Sequence, residues 1–393
     1  MTSSSLSHSQ QKSGLILNDN LQELAAKRSW LFEVVTPPET QTYYPSNTVE
    51  EDILYAISYW NYVLSLPIPE RKQLIREDYF YHLHCVTAEE MGETFRCIIP
   101  NATILNPTGL VITSDFQVIC QSLDNNKLNI DIDTEQVKNR LYRGKILPGT
   151  YVSLLSYWSH TFNFAHWLMD CLPKLALLES LDSDIKQNLN YIIPGNSPTY
   201  ITDSLEFLGI QRKQIIKIEE RNITVDRLVL CCASERSGRP QKAHLLSIRD
   251  KLFSAVVRRD SQQKATKRVY ISRSESSRKI MNEHDLLPIL VSHNFEIVYC
   301  ESLSLAEQIS LFSEANVILG AHGAGIYNQI FCNSGATVIE IYNKDYWHHS
   351  SRNIASFMGH KHWHIFGDNI NDNWQTWVDP SKLAKILSLA LNR

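Results

Sequence analysis

Short apolar runs alternate with amphipathic stretches over most of the chain beyond residue 150. Residues 191–195, 268–272 and 295–299 are apolar runs bounded by turn residues, a pattern that predicts strands. Residues 199–208 and 304–315 carry apolar side chains at helical spacing, which predicts helices. Strands that alternate with helices predict a parallel α/β sheet, and the alternation occurs twice.

The pattern before residue 150 is different. Residues 50–66 have mixed helical spacing and predict a helix, whereas residues 79–133 form short β-prone runs separated by turn residues. Residues 1–18 are rich in Ser and Gln near their start, and we expect them to be disordered. The sequence therefore predicts a β-rich lead-in to the first α/β region.

A polar run at residues 258–267 separates the two alternating regions and is the best candidate linker. We expect an N-terminal domain at 19–260, which includes the β-rich lead-in, and a C-terminal domain at 268–393. Two such domains predict a cleft between them. Ligands of α/β sheets bind beyond the carboxyl ends of the strands.

The stretch 316–342 reads as strand, glycine turn, helix and strand. Gly320, Gly323 and Gly325 occupy the turn, where glycine allows a ligand to approach the backbone and a helix start attracts phosphate. Glu340 lies near the end of the second strand, where nucleotide-binding sheets place the carboxylate that binds ribose. The first hypothesis is a nucleotide site in the C-terminal domain.

Two side chains of this stretch add to the hypothesis. His322 lies between the glycines and can donate to a phosphate or a sugar hydroxyl, and Asn328 lies in the helix that follows. The spacing G-x-x-G-x-G differs from the dinucleotide fingerprint G-x-G-x-x-G and occurs late in the chain. An NAD-linked oxidoreductase is therefore a weaker alternative, and a glycine turn that only packs against a neighbour is another.

A polar face on an otherwise apolar helix is the second candidate. Asn163, His166 and Asp170 follow one another at spacings of three and four residues, which places them on one helical face. A His and an Asp one turn apart can share a hydrogen bond that orients the imidazole and raises its basicity. The pattern fits a general base and, equally, a structural pair.

Two arginines form the third candidate. Arg273 follows a predicted strand and Arg278 lies in the next loop. Guanidinium groups held at a strand end suit a diphosphate, because each can bind phosphate oxygens through two hydrogen bonds. The alternative is that both are surface arginines in a polar loop.

The sequence gives little support for a metal. Asp131 and Asp133 form a D-x-D pattern, but the isoleucines beside them indicate an ordinary alternating strand. Five histidines near the C-terminus have no Cys or carboxylate at ligand spacing: His348, His349, His360, His362 and His364. We therefore expect neither a metal nor another cofactor.

Composition narrows the class of protein. With 43% hydrophobic and 20% charged residues the chain is typical of globular proteins, and its net charge of −4 argues against general nucleic-acid binding. The eight cysteines form no C-x-x-C pair and indicate buried thiols in a reducing compartment. Neither a signal peptide nor a membrane-spanning run is evident, so we expect a cytoplasmic protein, with loose attachment to a membrane face as an open alternative.

Taken in this order, the candidate segments resemble glycosyltransferase family 61. The resemblance covers most of residues 150–345, and the G-x-H-G-A-G turn followed by Asn328 is its most specific part. The matching segments are NFAHWLMDCLPKL, RVYISRSESSRKIMNE, FEIVYCESLSLAEQISLFSEANVILGAHGAGIYNQIF and GATVIEIY.

The resemblance implies a GT-B fold: two Rossmann-like domains facing across a cleft. It also implies inverting chemistry, a nucleotide-sugar donor that is usually UDP-linked, and no essential metal. The family includes protein O-linked N-acetylglucosamine transferases, plant xylan arabinosyl- and xylosyltransferases and bacterial capsule-type enzymes. This chain looks like a bacterial-type, cytosolic member that builds polysaccharide on a glycan or other hydroxyl acceptor. Its final helix, 381–391, would cross back onto the N-terminal domain.

Carried over residue by residue, the resemblance divides the candidates between donor and acceptor. Residues 19–260 become the acceptor-side domain and 268–393 the donor domain. His166 or Asp170 would be the catalytic base, a choice that the sequence leaves open, with Asn163 beside them. The expected donor-side residues are Arg273, Arg278, Gly320, His322, Gly323, Ala324, Gly325 and Asn328, with Glu340 on the ribose. A non-catalytic module that binds glycan or nucleotide is a further alternative.

Overall fold

The computed structural model describes residues 16–67, 88–123, 144–234, 237–257 and 265–392. The chain forms two compact units. The first comprises Met1–Thr40 and Glu90–Leu252, and the second comprises Gln41–Glu89 and Phe253–Arg393. The boundaries of these units differ from those of the predicted domains, because Gln41–Glu89 belongs to the second unit. Asp131 and Asp133 lie outside the described residues.

The strands are numbered along the chain. They are β1 (Ile16–Asn18), β2 (Phe32–Thr36), β3 (Glu39–Thr42), β4 (Ala88–Met91), β5 (Thr94–Leu105), β6 (Leu110–Ile112), β7 (Gln117–Ile119), β8 (Lys145–Ser153), β9 (Leu189–Pro194), β10 (Ile215–Ile218), β11 (Asn222–Cys232), β12 (Lys267–Ile271), β13 (Phe295–Val298), β14 (Ala315–Ala321), β15 (Thr337–Asn343), β16 (Lys361–Asn369) and β17 (Thr376–Trp377).

The α-helices are numbered in the same way. They are α1 (Leu21–Arg28), α2 (Glu50–Ser65), α3 (Phe164–His166), α4 (Ser183–Gln187), α5 (Thr199–Phe207), α6 (Lys242–Val256), α7 (Glu283–Ser292), α8 (Leu305–Ser313), α9 (Ser350–Met358) and α10 (Pro380–Leu391). A π-helical turn follows α3, and the longer 3₁₀ segments are Leu172–Leu178 and Ala324–Phe331.

The first unit is built on a mixed sheet. Its described strands lie in the order β1-β7-β6-β5-β11-β8-β9-β10, with β2 beside β5. Strands β11, β8, β9 and β10 run parallel, whereas β5 pairs with β11 in the antiparallel sense. The predicted β-rich lead-in is therefore part of the same sheet. Only a portion of this unit is parallel, in contrast to the Rossmann-like domain that was expected.

The second unit has a parallel sheet with helices between its strands. Its order is β13-β12-β14-β15-β16-β17, and only the last strand is antiparallel. Because β13 lies on one side of β12 and β14 on the other, the winding reverses between β12 and β14. Ligands bind at such a reversal, beyond the carboxyl ends of the strands. Arg273 follows β12, and the glycine turn follows β14.

Burial explains why α10 and part of residues 41–67 belong to the second unit. The apolar face of α10, with Leu383, Ile386 and Leu387, lies in the core formed by β14, β15 and β16. The apolar face of this helix therefore belongs to the second unit, and its crossing back onto the N-terminal domain stays a prediction. Asn47 is hydrogen-bonded through its backbone to β16, and Val49 is fully buried in the same core. Among the described helices, none is long and apolar enough to span a membrane.

Candidate active site

The glycine turn brings the ends of β12 and β14 together. A Cβ added to Gly325 would lie 2.9 Å from a methyl group of Ile271, and one on Gly320 would lie 3.2 Å from the Cβ of the same residue. A Cβ on Gly323 would lie only 1.4 Å from Nη1 of Arg273. Two of the glycines thus permit close packing, and Gly323 makes room for a guanidinium group.

Arg273 is fixed against the turn. Its Nη1 donates to the carbonyl of His322 at 2.5 Å, and its Nη2 donates to Oγ of Ser276 at 2.7 Å. Burial and the neighbouring positive charge of Arg278 lower the pKa of Arg273 to about 10, which still leaves the group protonated at neutral pH. A partly buried cation next to a second cation is costly unless an anion joins them.

The surroundings of Arg278 indicate that such an anion binds here. Its guanidinium carbon lies 4.5 Å from the centre of the Tyr346 ring, a cation–π contact. Its Nη1 is buried and has no hydrogen-bond partner among the described residues. A buried guanidinium nitrogen without an acceptor is unfavourable, and phosphate oxygens would supply the missing partner.

His322 completes this group of cationic and donor side chains. Its ring lies 5.9 Å from that of Tyr346, and its Nδ1 donates to Oε1 of Glu340 at 2.7 Å. With Nδ1 engaged, Nε2 is the ring nitrogen that can meet a ligand. The turn residues Gly323 and Ala324, at the start of the 3₁₀ segment, lie next to it in the chain.

The structure changes the expected role of Glu340. The side chain is fully buried, and it also accepts hydrogen bonds from Tyr342 at 2.7 Å and His362 at 3.1 Å. Burial alone would raise the pKa of Glu340, but the hydrogen bonds from His322 and His362 outweigh it and lower that pKa to about 2. The carboxylate has no surface left for a ribose. It orients His322, and the NAD alternative loses its ribose contact.

Asn328 is also buried rather than exposed to a ligand. Its Nδ2 donates to Oε1 of Gln308 at 2.8 Å and to the carbonyl of Gly325 at 3.2 Å. The side chain has no accessible surface. Contact with the donor is therefore a wrong expectation for Asn328, which instead joins the 3₁₀ segment to α8.

The His166–Asp170 pair forms as its spacing predicts. Nδ1 of His166 donates to Oδ2 of Asp170 at 2.8 Å. Asp170 is buried and also accepts from Oγ of Ser237 and from the backbone N–H of Gly238, both at 2.6 Å. His166, by contrast, keeps 30% of its side-chain surface exposed. The imidazole is therefore the member of the pair that can reach a substrate.

Two local features position this histidine. The chain forms a π-helical turn, Trp167–Cys171, immediately after His166, and such turns are frequent at functional sites. Trp158 stacks on the His166 ring with 5.3 Å between ring centres. Asn163 caps the helix start by accepting from the N–H of Ala165 at 2.9 Å. Asn163 also lines a small cavity with His166, so its capping role and its predicted place in the site coexist.

The C-terminal histidines make contacts within the protein. Ser46 Oγ lies 2.7 Å from Nδ1 of both His362 and His364, and Nε2 of His360 donates to the carbonyl of Gln329 at 3.0 Å. In the described part of the chain, no three His, Cys, Asp or Glu side chains are grouped so as to hold a metal ion.

Several residues of the site were not singled out from the sequence. Tyr346 follows β15, and Ser237 with Gly238 follows β11, so each lies beyond the carboxyl end of a parallel strand. That position is the signal that could have identified them. His362 could not have been identified as a partner of Glu340, because the contact joins neighbouring strands across the sheet.

Comparison with known proteins agrees with this geometry. The Glycosyltransferase 61 family model matches residues 164–339, a range that contains His166, Asp170, both arginines and the glycine turn. The matched range covers somewhat less than half of the chain, and it agrees with the resemblance that the sequence predicted. Over residues 164–339 the chain is therefore similar to glycosyltransferase family 61, which supports a glycosyltransferase.

One curated relative shares a shorter region. The EGF domain-specific O-linked N-acetylglucosamine transferase of Drosophila melanogaster is 30% identical over 77 residues, which are 19% of this chain and 15% of that protein. The aligned region therefore spans well under two thirds of the relative's length.

Proposed function

We propose that the chain is an inverting, metal-independent glycosyltransferase that moves a sugar from a UDP-sugar to a hydroxyl of a glycan acceptor. The observation that carries the proposal is the unpartnered Nη1 of Arg278 beside Arg273 and His322 at the carboxyl end of a parallel sheet. Two fixed guanidinium groups and an oriented imidazole match the charge and the hydrogen-bonding needs of a diphosphate.

His166 is the general base in this proposal. The acceptor hydroxyl attacks the anomeric carbon, and its proton passes to Nε2 of His166. Asp170 accepts from Nδ1 of His166, so it selects the tautomer that leaves Nε2 unprotonated and stabilises the imidazolium that forms. Because Asp170 is buried and already accepts from three donors, it acts through the histidine.

The leaving group takes the electrons of the bond that breaks. When the bond from the anomeric carbon to the diphosphate oxygen cleaves, negative charge grows on the diphosphate. Arg273 and Arg278 supply the compensating positive charge and hydrogen-bond donors, and His322 donates from Nε2 when its ring carries both protons. These side chains are what makes a metal-independent reaction chemically reasonable.

The proposal extends to the arrangement and setting that the family resemblance implies. The two units would act as the acceptor and donor halves of a GT-B enzyme engaged in polysaccharide biosynthesis. Seven cysteines of the described residues are buried thiols, which favours a reducing, cytoplasmic location. Peripheral membrane attachment is compatible with that location.

Donor binding is the direct test. UDP without added divalent metal should raise the melting temperature of the wild-type protein. Arg273→Ala and Arg278→Gln should each weaken UDP binding about tenfold to a hundredfold, since a hydrogen bond to a charged group contributes about 1.5–3 kcal/mol. Thermal unfolding measures the melting temperature, and isothermal titration calorimetry in the presence of EDTA measures the affinities.

Arg268→Ala is the matched control, because Arg268 lies at the amino end of the strand that Arg273 follows and bonds the carbonyl of His293. This variant should keep wild-type affinity for UDP. Failure of UDP and of other nucleotides to bind, or equal losses in all three arginine variants, would overturn the donor site.

A further inference from the structure

A second cavity lies in the first unit, beyond the carboxyl ends of β9 and β10. This edge pocket has a volume of about 550 Å³ and is lined by nine residues, among them Asn106, His160, Phe162, Asn196 and Glu219. Its volume lies within the range of roughly 300–1,000 Å³ that is typical of ligand pockets. Its position at the carboxyl edge of parallel strands is where α/β sheets bind ligands.

The polar groups of the edge pocket are mainly hydrogen-bond acceptors. Nδ2 of Asn106 donates to two backbone carbonyls, of Ile218 and Glu220, so Oδ1 is the atom that can face a ligand. Nδ1 of His160 donates to the carbonyl of Tyr157, so Nε2 can accept. Glu219 adds an exposed carboxylate. Such a set complements the hydroxyl donors of a ligand.

The charge of the edge pocket excludes an anionic ligand. None of its nine lining residues is lysine or arginine, and Glu219 would repel a phosphate or a carboxylate. Phe162 and two prolines, Pro107 and Pro194, provide apolar surface between the polar groups. A neutral molecule with many hydroxyls and apolar C–H faces, which is a saccharide, fits both properties.

The edge pocket adjoins the histidine that we assign as the base. Phe162 and Pro194 line both this pocket and the small cavity that contains His166. Phe162 has φ of +46°, an uncommon conformation for a bulky residue, and the Tyr200 hydroxyl donates to its carbonyl at 2.5 Å. Strained residues of this kind cluster where function requires a fixed side chain.

We propose that the edge pocket binds a neutral saccharide portion of the acceptor and so presents the acceptor hydroxyl to His166. This inference rests on the proposed function, because it takes His166 as the base. It names the acceptor as a glycan that is recognised through uncharged sugar rings.

Saturation-transfer-difference NMR on the full chain tests the inference with four disaccharides: xylobiose, cellobiose, mannobiose and chitobiose. At least one should receive saturation from the wild-type protein. Asn196→Trp, which fills the pocket from an exposed position, should lower the affinity at least tenfold, and Glu219→Gln should lower it several-fold. Glu90→Gln, an exposed change on β4 outside the pocket lining, should leave binding unchanged.

Competing ligands separate the outcomes. Pyrophosphate and a serine-containing peptide should not displace the bound disaccharide. Absence of saturation transfer to all four sugars, binding that survives Asn196→Trp, or displacement by the peptide would overturn the inference. If UDP still binds in those cases, the donor site of the proposed function stands and only the saccharide pocket is lost. If UDP fails while a disaccharide binds through Asn196 and Glu219, the proposed transfer is lost but the sugar site stands.

Discussion

Burial decides which member of the His166–Asp170 pair can meet a substrate. Asp170 is 3% exposed and accepts hydrogen bonds from His166, Ser237 and Gly238. Its lone pairs are therefore committed to the protein, whereas 30% of the His166 side chain is open to solvent. A carboxylate in that state can orient an imidazole but cannot take a proton from an acceptor.

His166→Ala should lower kcat by about 10²- to 10⁴-fold, which is the usual contribution of a general base. UDP affinity should be unchanged, since the proposal places this residue on the acceptor side. Asp170→Asn should lower kcat less, because it keeps the imidazole but removes the carboxylate that orients it. Steady-state kinetics on both variants measures these effects. A wild-type kcat in His166→Ala would assign the base to another residue.

The buried charge of Glu340 orients His322 and also contributes to the stability of the folded protein. The hydrogen bonds from His322 and His362 overcome burial and lower its pKa from the ordinary value of 4.5 to about 2. Because the folded-state pKa lies below the unfolded-state value, the carboxylate contributes stability above pH 4.5 that is lost as the pH falls through about 2.

Glu340→Gln mimics the protonated acid and should cost stability on the order of 3 kcal/mol at pH 7. The difference in unfolding free energy between wild type and variant should shrink as the pH falls from 5 toward 2. Urea unfolding at a series of pH values measures it. A difference that does not change with pH would contradict this account of the Glu340 charge.

At the scale of elements, the glycine turn links β14 to Arg273. The sequence indicates that the turn holds a phosphate through its backbone, and the structure shows in addition that its glycines admit neighbouring side chains. A Cβ at Gly323 would overlap the Arg273 guanidinium, which is the flexible end of a side chain and can move aside. The glycine turn therefore sets the position of the Arg273 guanidinium, but it does not determine whether the protein folds.

Gly323→Ala should leave the protein folded and weaken UDP binding about tenfold or more, because Arg273 loses its hydrogen bond to the His322 carbonyl. Calorimetry on the variant and on the wild-type protein, with circular dichroism to check folding, makes the comparison. Equal affinities for the two proteins would show that Gly323 does not control Arg273.

At the scale of the whole molecule, long-range contacts determine which unit a segment joins. Asp52 on α2 is buried, accepts from the N–H of Phe366 and pairs with Lys382 of α10. Burial raises the pKa of Asp52 even though Lys382 opposes the shift. This pair helps to hold α2, which precedes most of the first unit in the chain, against the sheet of the second unit.

Lys382→Ala should destabilise the second unit by about 3 kcal/mol, because it leaves a buried carboxylate without its partner. Lys385→Ala is the matched control. Lys385 lies one helical turn away and pairs with Glu51 in solvent, where ion pairs contribute little, so its loss should change stability only slightly. Urea unfolding compares the two variants, and similar losses would contradict the assigned role of burial.

Local patterns made much of the fold predictable. The helix predicted at 199–208 is α5, the helix predicted at 304–315 is α8, and the helix expected at 50–66 is α2. The one-turn spacing of His166 and Asp170 placed them in contact, as observed. Each of these predictions depends on neighbours within a few residues, which periodicity describes directly.

Other features depend on contacts between residues far apart in the chain. The β-rich lead-in joined the first sheet because β5 pairs with β11, and the sequence contains no local signal for that pairing. Burial turned Glu340 and Asn328 inward, although their positions near a strand end and in a glycine-flanked helix suited a ligand. The sequence by itself thus determined the elements, the family resemblance and the His166–Asp170 pair. Tertiary structure alone decided which polar side chains stay accessible, because accessibility depends on what packs against each group.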